Sequence, residues 1–375
     1  MKRRLNPFRL VVVILAAILL IALVVIVVIF GLQKKEQRAF LTEIAVPAGQ
    51  SYVISGKRIA YLTPTALMSY EVGGKRNAMK ELPLHAALSG FDINGELVAA
   101  YAGSTLAIGT QEPLQLNGEI EGVRCGKTRV AALRKSTAGD NDSIAVFDAT
   151  NAAESADIPR HSEGRVIDFG FYVSDAAGST HEFLWAIVVS LRTSLPVYTV
   201  TVWEYANDAN GIERFRVQFH EQAIEKLYIT DESFFVIGTQ DIIRYSVSGG
   251  KEKFRVSIYG QRVEDAMNTV AGVSFLLVPC VDKDRQTLRI LGLAETDELA
   301  ESMATVHFQV PYIAALFSGG VLQVYSSQYL YTVNTGGKRL LELELPQAPL
   351  RVYKLDGGNN VLFETAFACY LASIA

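Results

Sequence analysis

Twenty-one consecutive residues without a charge, Leu10 to Phe30, constrain this chain more than any other feature. At 1.5 Å of helical rise per residue, about 20 apolar residues cross the roughly 30 Å hydrocarbon core of a bilayer. The stretch is almost all Val, Ile, Leu and Ala, too long and too evenly apolar for the single core-facing stripe of a soluble helix. Lys2, Arg3, Arg4 and Arg9 precede it with no acid among them, whereas Lys34, Lys35 and Arg38 follow it, diluted by Glu36 and Glu43. Positive charge is retained on the cytoplasmic side, which places the N-terminus there. A cleaved signal peptide would carry an apolar stretch of about 7–15 residues and a small-residue exit. Here the exit is Ile29, Phe30, Gly31, Leu32 and Gln33, and no Cys follows to accept a lipid. The expectation is a cytoplasmic segment over 1–9, an uncleaved transmembrane signal-anchor helix over 10–32, a linker over 33–40 and an extracytoplasmic domain over 41–375.

Residues 33–375 carry 31 Lys+Arg against 39 Asp+Glu, so the domain has no electrostatic pull toward nucleic acid or anionic lipid. Its three cysteines, Cys125, Cys280 and Cys369, are far apart and show no metal-ligand spacing. They read as small core residues; a single bridge between two of them would leave the third unpaired.

Past the linker the chain has a rhythm. Tyr70, Tyr245 and Tyr331 each end an alternating strand and are followed by a Gly-Gly turn (Gly73-Gly74, Gly249-Gly250, Gly336-Gly337) and then a basic residue. Each is preceded by a short apolar strand: Arg58–Leu62, Ser233–Ile237 and Val321–Tyr325. Weaker copies pair Leu97–Tyr101 with Thr105–Ile108, and Val130–Leu133 with Ser143–Phe147. Such pairs recur about eight times at roughly 40-residue spacing, with Val, Ile, Tyr and Phe dominating the strands. That period predicts an all-β fold, a seven- or eight-bladed β-propeller, preceded by the single transmembrane helix. Glu221–Lys226 and Asp297–Met303 could each form a helical turn. The segment Leu41–Pro47 alternates like the outer strand Leu341–Pro346 but has no inner strands before it, so it is expected to complete the blade begun by the C-terminus. The fourth unit, Val166 to Arg216, is enlarged, holds both tryptophans and contains a hairpin tip at Asn207–Gly211.

Strand pairs punctuated by Tyr-x-x-x-Gly-Gly-Lys resemble quinoprotein-type (PQQ-like) β-propellers. With the N-terminal anchor, the chain is most similar to uncharacterised membrane-anchored propellers of Gram-positive bacteria. The resemblance spans residues 41–375 and implies a fold without an established activity. Quinoprotein repeats carry a Trp after the Gly-Lys turn that docks each blade to the next; Arg76–Leu82, Lys251–Val256 and Lys338–Leu341 have none. The resemblance therefore implies no cofactor.

Catalytic motifs fail on inspection. Gly122 to Thr128 (GVRCGKT) is one residue short of a phosphate-binding G-x-x-x-x-G-K-[ST] loop and continues as strand rather than helix. His85, His161, His181, His220 and His307 have no paired spacing and read as exposed turn residues. No G-x-S-x-G is present. Asp140-Asn-Asp142 and Asp282-Lys-Asp284 read as solvated turns, lacking the 12-residue loop that would hold Ca²⁺. Lys75, Arg76, Lys251, Lys338 and Arg339 fall at equivalent places and are expected on one face of the ring, as solubilising charges. No catalytic, cofactor-binding or metal residue is assigned. The expected function is a non-catalytic, membrane-anchored binding or scaffold module for a protein or cell-wall partner in the envelope. A quinone- or metal-dependent propeller enzyme and a permanent subunit of an envelope assembly complex are the alternatives.

Overall fold

The computed structural model describes residues 39–63, 67–72, 88–135, 141–152, 154–158, 164–174, 181–205, 211–247, 250–281, 285–294, 301–355 and 360–374. The run Leu10–Phe30 and the linker to residue 38 lie outside them, and no helix among the described residues is long and apolar enough to cross a membrane. Residues Ala39–Ile374 form one compact unit of eight antiparallel sheets, seven four-stranded and one, blade 1, with three strands among the described residues. This is an eight-bladed β-propeller. The first strands of the blades are Tyr52–Ser55, Gly90–Asn94, Glu119–Cys125, Arg165–Ser174, Ile224–Ile229, Gln261–Thr269, Tyr312–Ser318 and Arg351–Lys354. First strands touch across the boundaries of blades 1 and 2, 2 and 3, 3 and 4, 6 and 7, and 7 and 8, so they line the axis. The enlarged fourth unit is blade 4, with strands of 8 to 10 residues. Of the two expected helical turns, residues 224–226 and 301–303 are strand instead, and residues 297–300 lie outside the described residues.

Burial explains why the second and third strands read so clearly. All six residues of Ser233–Gly238 and of Val321–Ser326 are buried, because each sheet is covered on both faces by its neighbours and alternation vanishes. The outer strand Arg339–Glu344 alternates exposed and half-buried residues, with its outer side in solvent. The core is therefore a set of eight wedges, one between each pair of adjacent blades. Aromatic pairs cross these seams: Phe215 with Phe234 at 5.2 Å, Phe235 with Phe275 at 5.4 Å, Tyr325 with Phe363 at 5.8 Å and Tyr52 with Tyr353 at 5.3 Å. Edge and tilted arrangements of this kind contribute about 0.5–1.5 kcal/mol beyond burial. Where the docking Trp is missing, Arg339 lies 5.0 Å from both the Phe308 and Tyr331 rings and donates to the His307 carbonyl, tying blade 7 to blade 6.

The ring closes through its termini. The strand Ala39–Ile44 pairs antiparallel with Cys369–Ile374 over six residues, from Ala39 opposite Ile374 to Ile44 opposite Cys369. It opens two residues ahead of the expected Leu41 and supplies the outer strand of blade 8. Each blade is an antiparallel meander, so turns after first and third strands share one face, while turns after second strands and the links between blades share the other. Ala39, beside the end of a third strand, enters on the former, the entry face; the latter is the far face. Ile44 is buried in the wedge between blades 8 and 1, with Leu362, Leu371 and Tyr52. Ile44→Ala should therefore lower stability by about 2–5 kcal/mol in urea unfolding, while Thr42→Ala, exposed on the same strand, should stay within about 0.5 kcal/mol.

Candidate functional site

In five consecutive blades, 3 to 7, the first strand carries a bulge against the second; the extra residues are Glu121, Ile167, Glu225, Glu264 and Ile313. A bulge bends the strand and re-aims the side chain that follows. In blades 4, 5 and 6 the residues after the bulge are Asp168, Lys226 and Asp265. Each meets a neighbour across the blade boundary. Arg124 of blade 3 is 3.9 Å from Asp168. Lys226 donates to the Val263 and Glu264 carbonyls of blade 6, both at 3.1 Å. Asp265 accepts from the Phe317 N–H of blade 7 at 2.7 Å and pairs with Lys354 of blade 8 at 3.5 Å, reaching past blade 7 inside the ring. In blade 2, Asp92 accepts from the Cys125 N–H of blade 3 at 2.6 Å. Burial pushes the Asp92 and Asp168 carboxyls above their usual range, with Arg124 pulling both back down and Lys226 helping at Asp168. Sequence reasoning missed this axial set, whose only linear trace is an acid or Lys after an interrupted alternation.

These charges act as staples. Each carboxylate is matched by a cation or N–H from another blade, and none is poised against a second carboxylate for acid–base exchange. Among the described residues no group of three His, Cys, Asp or Glu could hold a metal ion.

The GVRCGKT segment has a definite fate. Gly126 to Thr128 turn between Glu119–Cys125 and Arg129–Lys135, and their donors are aimed at an anion that the protein supplies itself. The buried Glu182 of blade 4 accepts from the Lys127 N–H and the Thr128 hydroxyl, both at 2.6 Å. A Cβ on Gly126 would lie 1.7 Å from Glu182 Oε1, so only glycine allows this approach. Gly126→Ala should cost about 1–3 kcal/mol by overpacking, read as a lowered urea midpoint with unchanged slope.

Other sequence candidates sort in the same way. His181 is no free turn residue: its Nδ1 bonds the buried Glu204, whose other oxygen accepts from Arg214 at 2.5 Å. Burial works against the Glu204 carboxylate, but these two hydrogen bonds outweigh it and hold the group below its ordinary range. His220 and His307 are exposed; His85 and His161 lie outside the described residues. Asp142 is buried, not solvated, and accepts from Arg165 Nε and the Val166 N–H at 3.0 Å. Asp140, Asp282 and Asp284 lie outside the described residues, as do Lys75, Arg76 and Asn207 to Asn210. Lys251 and Lys338 are exposed in entry-face turns as expected, whereas Arg339 is stacked between blades. Cys125 and Cys369 are buried, but Cys280 is exposed and all three are free thiols.

The two faces differ in chemistry. Entry-face turns expose Lys57, Glu96, Lys127, Asp231, Lys251 and Lys338 together with Val270, and the outer-strand ends beside them expose Phe40, Ile212 and Leu340. The far face exposes Leu191, Leu195, Tyr259, Val281, Leu350 and Phe367 alongside Arg192, His220, Glu221 and Arg285; Tyr259 and Phe367 are 80% and 83% exposed. On that face, between blades 6 and 7, a cavity of about 170 Å³ is walled by Arg262, Glu264, Cys280, Arg285, Tyr312 and Ile313. A second, of about 500 Å³, lies at the entry-face end of blade 6 beside Val270, Leu293, Glu301 and Thr335. The far-face tips were legible only as large apolar residues inside loops, such as Leu350 after Pro346-Gln-Ala-Pro349.

No protein-family model matches the chain, and no curated protein sequence matches it either. Solved structures match its shape. The WD40 domain of SCAP from fission yeast aligns with a TM-score of 0.57 at 9% identity, over 91% of this chain and 98% of that one. The computationally designed Ika8 protein aligns at 0.56 and 12%, over 89% and 100%. BamB from Moraxella catarrhalis aligns at 0.50 and 9%, over 89% and 98%. At these identities the likeness is one of fold.

Proposed function

We propose that this chain is a non-catalytic scaffold, tethered by residues 10–32 outside the cytoplasmic membrane of a Gram-positive-type envelope, that binds an envelope protein through its far face. The observation that carries this reading is the asymmetry of the two faces. Exposed aromatic and aliphatic tips are enriched in protein interfaces, and large exposed apolar groups on a stable frame mark binding sites. The first strand of the propeller, Ala39–Ile44, starts at the opposite face. The axial charges support the same reading, because their partners are already internal.

The test has two arms in intact cells. In a Cys280→Ser background, Val270→Cys should react with a membrane-impermeant maleimide as fully before lysis as after it; reaction only after lysis contradicts the compartment. A photocrosslinking residue replacing Phe367 should give a discrete adduct, and one replacing Val270 should not; the reverse contradicts the choice of face.

A further inference from the structure

Three asparagines of this chain stand directly before a glycine: Asn94, Asn117 and Asn210. A glycine has no Cβ to shield its peptide nitrogen, which therefore reaches the carboxamide carbon of the residue before it most easily. Asn210 lies outside the described residues. Asn94 and Asn117 share one local sequence, a branched aliphatic residue, Asn, Gly and Glu (Ile93 to Glu96 and Leu116 to Glu119). Their covalent chemistry is matched, and only the fold separates them.

The fold holds Asn94 closed. Its side chain is half-buried, and its Nδ2 donates to the Cys125 carbonyl of blade 3 at 3.3 Å. The Gly95 N–H, the group that would attack, donates to Ser55 Oγ of blade 1 at 2.9 Å, and the Gly95 carbonyl accepts from Arg58 Nη1 at 2.7 Å. Both reacting groups are therefore held by other blades. Asn117 is the opposite case. It is exposed, in the link between blades 2 and 3 on the far face. The chain is pinned on either side of it, the Leu116 N–H to the Ser104 carbonyl and the Ile120 N–H to the Gly103 carbonyl, both at 2.9 Å. Between these pins, neither the Asn117 carboxamide nor the Gly118 N–H makes a hydrogen bond among the described residues. Gly118 sits at φ 110°, and a Cβ on it would lie 3.0 Å from the Lys135 carbonyl oxygen, so this junction requires glycine after Asn117.

We propose that Asn117–Gly118 is a self-modification site, where the chain converts an uncharged carboxamide on its far face into a carboxylate. The Gly118 nitrogen bonds to Cγ of Asn117. The carboxamide C–N bond breaks, and ammonia leaves with the proton that the Gly118 nitrogen gave up. Water then opens the cyclic imide at either carbonyl. Opening at Cγ restores the original backbone with Asp in place of Asn. Opening at the main-chain carbonyl routes the chain through the side chain and lengthens the link by a methylene. Either product places a negative charge beside Glu119, between blades 2 and 3, and water is the sole co-reactant. The inference goes beyond the scaffold reading and does not depend on it.

Asn94 serves as the internal control. The full chain in detergent micelles is incubated in heavy-oxygen water at mildly alkaline pH, then digested with a Glu-specific protease. Cleavage after Glu96 and Glu119 puts the two asparagines on separate peptides, and mass spectrometry reads the label in each. Label should enter the Asn117 peptide at least about tenfold faster than the Asn94 peptide, the factor expected when two hydrogen bonds must first break at Asn94. In guanidinium the two peptides should label at equal rates, since their local sequences match. Asn117→Gln should remove the label from its peptide, because the larger ring closes far more slowly. Equal labelling of the folded chain, faster labelling at Asn94, or protection of both sites until guanidinium is added overturns the proposal. So does a rate ratio that persists in guanidinium, which would take the cause away from the fold. None of these outcomes bears on the tether or the binding face, which the intact-cell experiments judge alone.

Discussion

The whole architecture depends on one ladder of backbone hydrogen bonds, between Ala39–Ile44 and Cys369–Ile374. A propeller wedge is stable only when both of its blades are present, since neither sheet hides its apolar faces alone. Seven wedges join blades that are consecutive in sequence. The eighth joins blade 8 to blade 1 and gathers residues from both ends of the chain, with Ile44, Val46 and Tyr52 against Leu355, Leu362 and Leu371. Closing it costs the loop entropy of the entire domain, which grows only logarithmically with length. Closure also removes the open edge that a three-stranded last blade would present.

A second constraint is the fate of the acids. Much of the charge that might have formed an active site is committed between blades. Asp92 caps Cys125, Asp142 caps Val166, Glu182 caps Lys127 and Asp265 caps Phe317, each carboxylate taking a backbone N–H from the adjacent blade. Charge-assisted bonds of this kind are shorter and stronger than neutral ones, and a buried N–H left without a partner would be costly. The propeller thus fixes the rotation of one blade against the next with carboxylates as well as with aromatic and Arg–aromatic stacking.

The reach of the sequence follows from burial. Second strands such as Ser233–Gly238 and Val321–Ser326 are buried throughout and largely apolar because both their faces are covered, so they announce the repeat and its period. The outer strand at the N-terminus was legible as well, because its alternation had no other partner. First strands were obscured by their charges: Ile224–Ile229 carries Glu225 and Lys226 toward the ring interior after a bulge, and resembled the start of a helical turn. The phosphate-loop lookalike continues as strand, as its sequence suggested, but nothing linear pointed to Glu182, 55 residues beyond Lys127, as the anion it holds. The contrast between faces was equally hidden, since it depends on which turns the meander brings together.

With the axial charges matched internally, the far face is the surface proposed for partner binding, and its rigidity derives from closure. Hydrogen exchange of the full chain, resolved to single strands, tests that closure most directly. Amides of residues 39–44 should exchange as slowly as those of 369–374, because the two strands are one ladder. Rapid exchange over 39–44 beside a protected 369–374 would mean that the ring is not held by its N-terminal strand, and would contradict the account at its foundation.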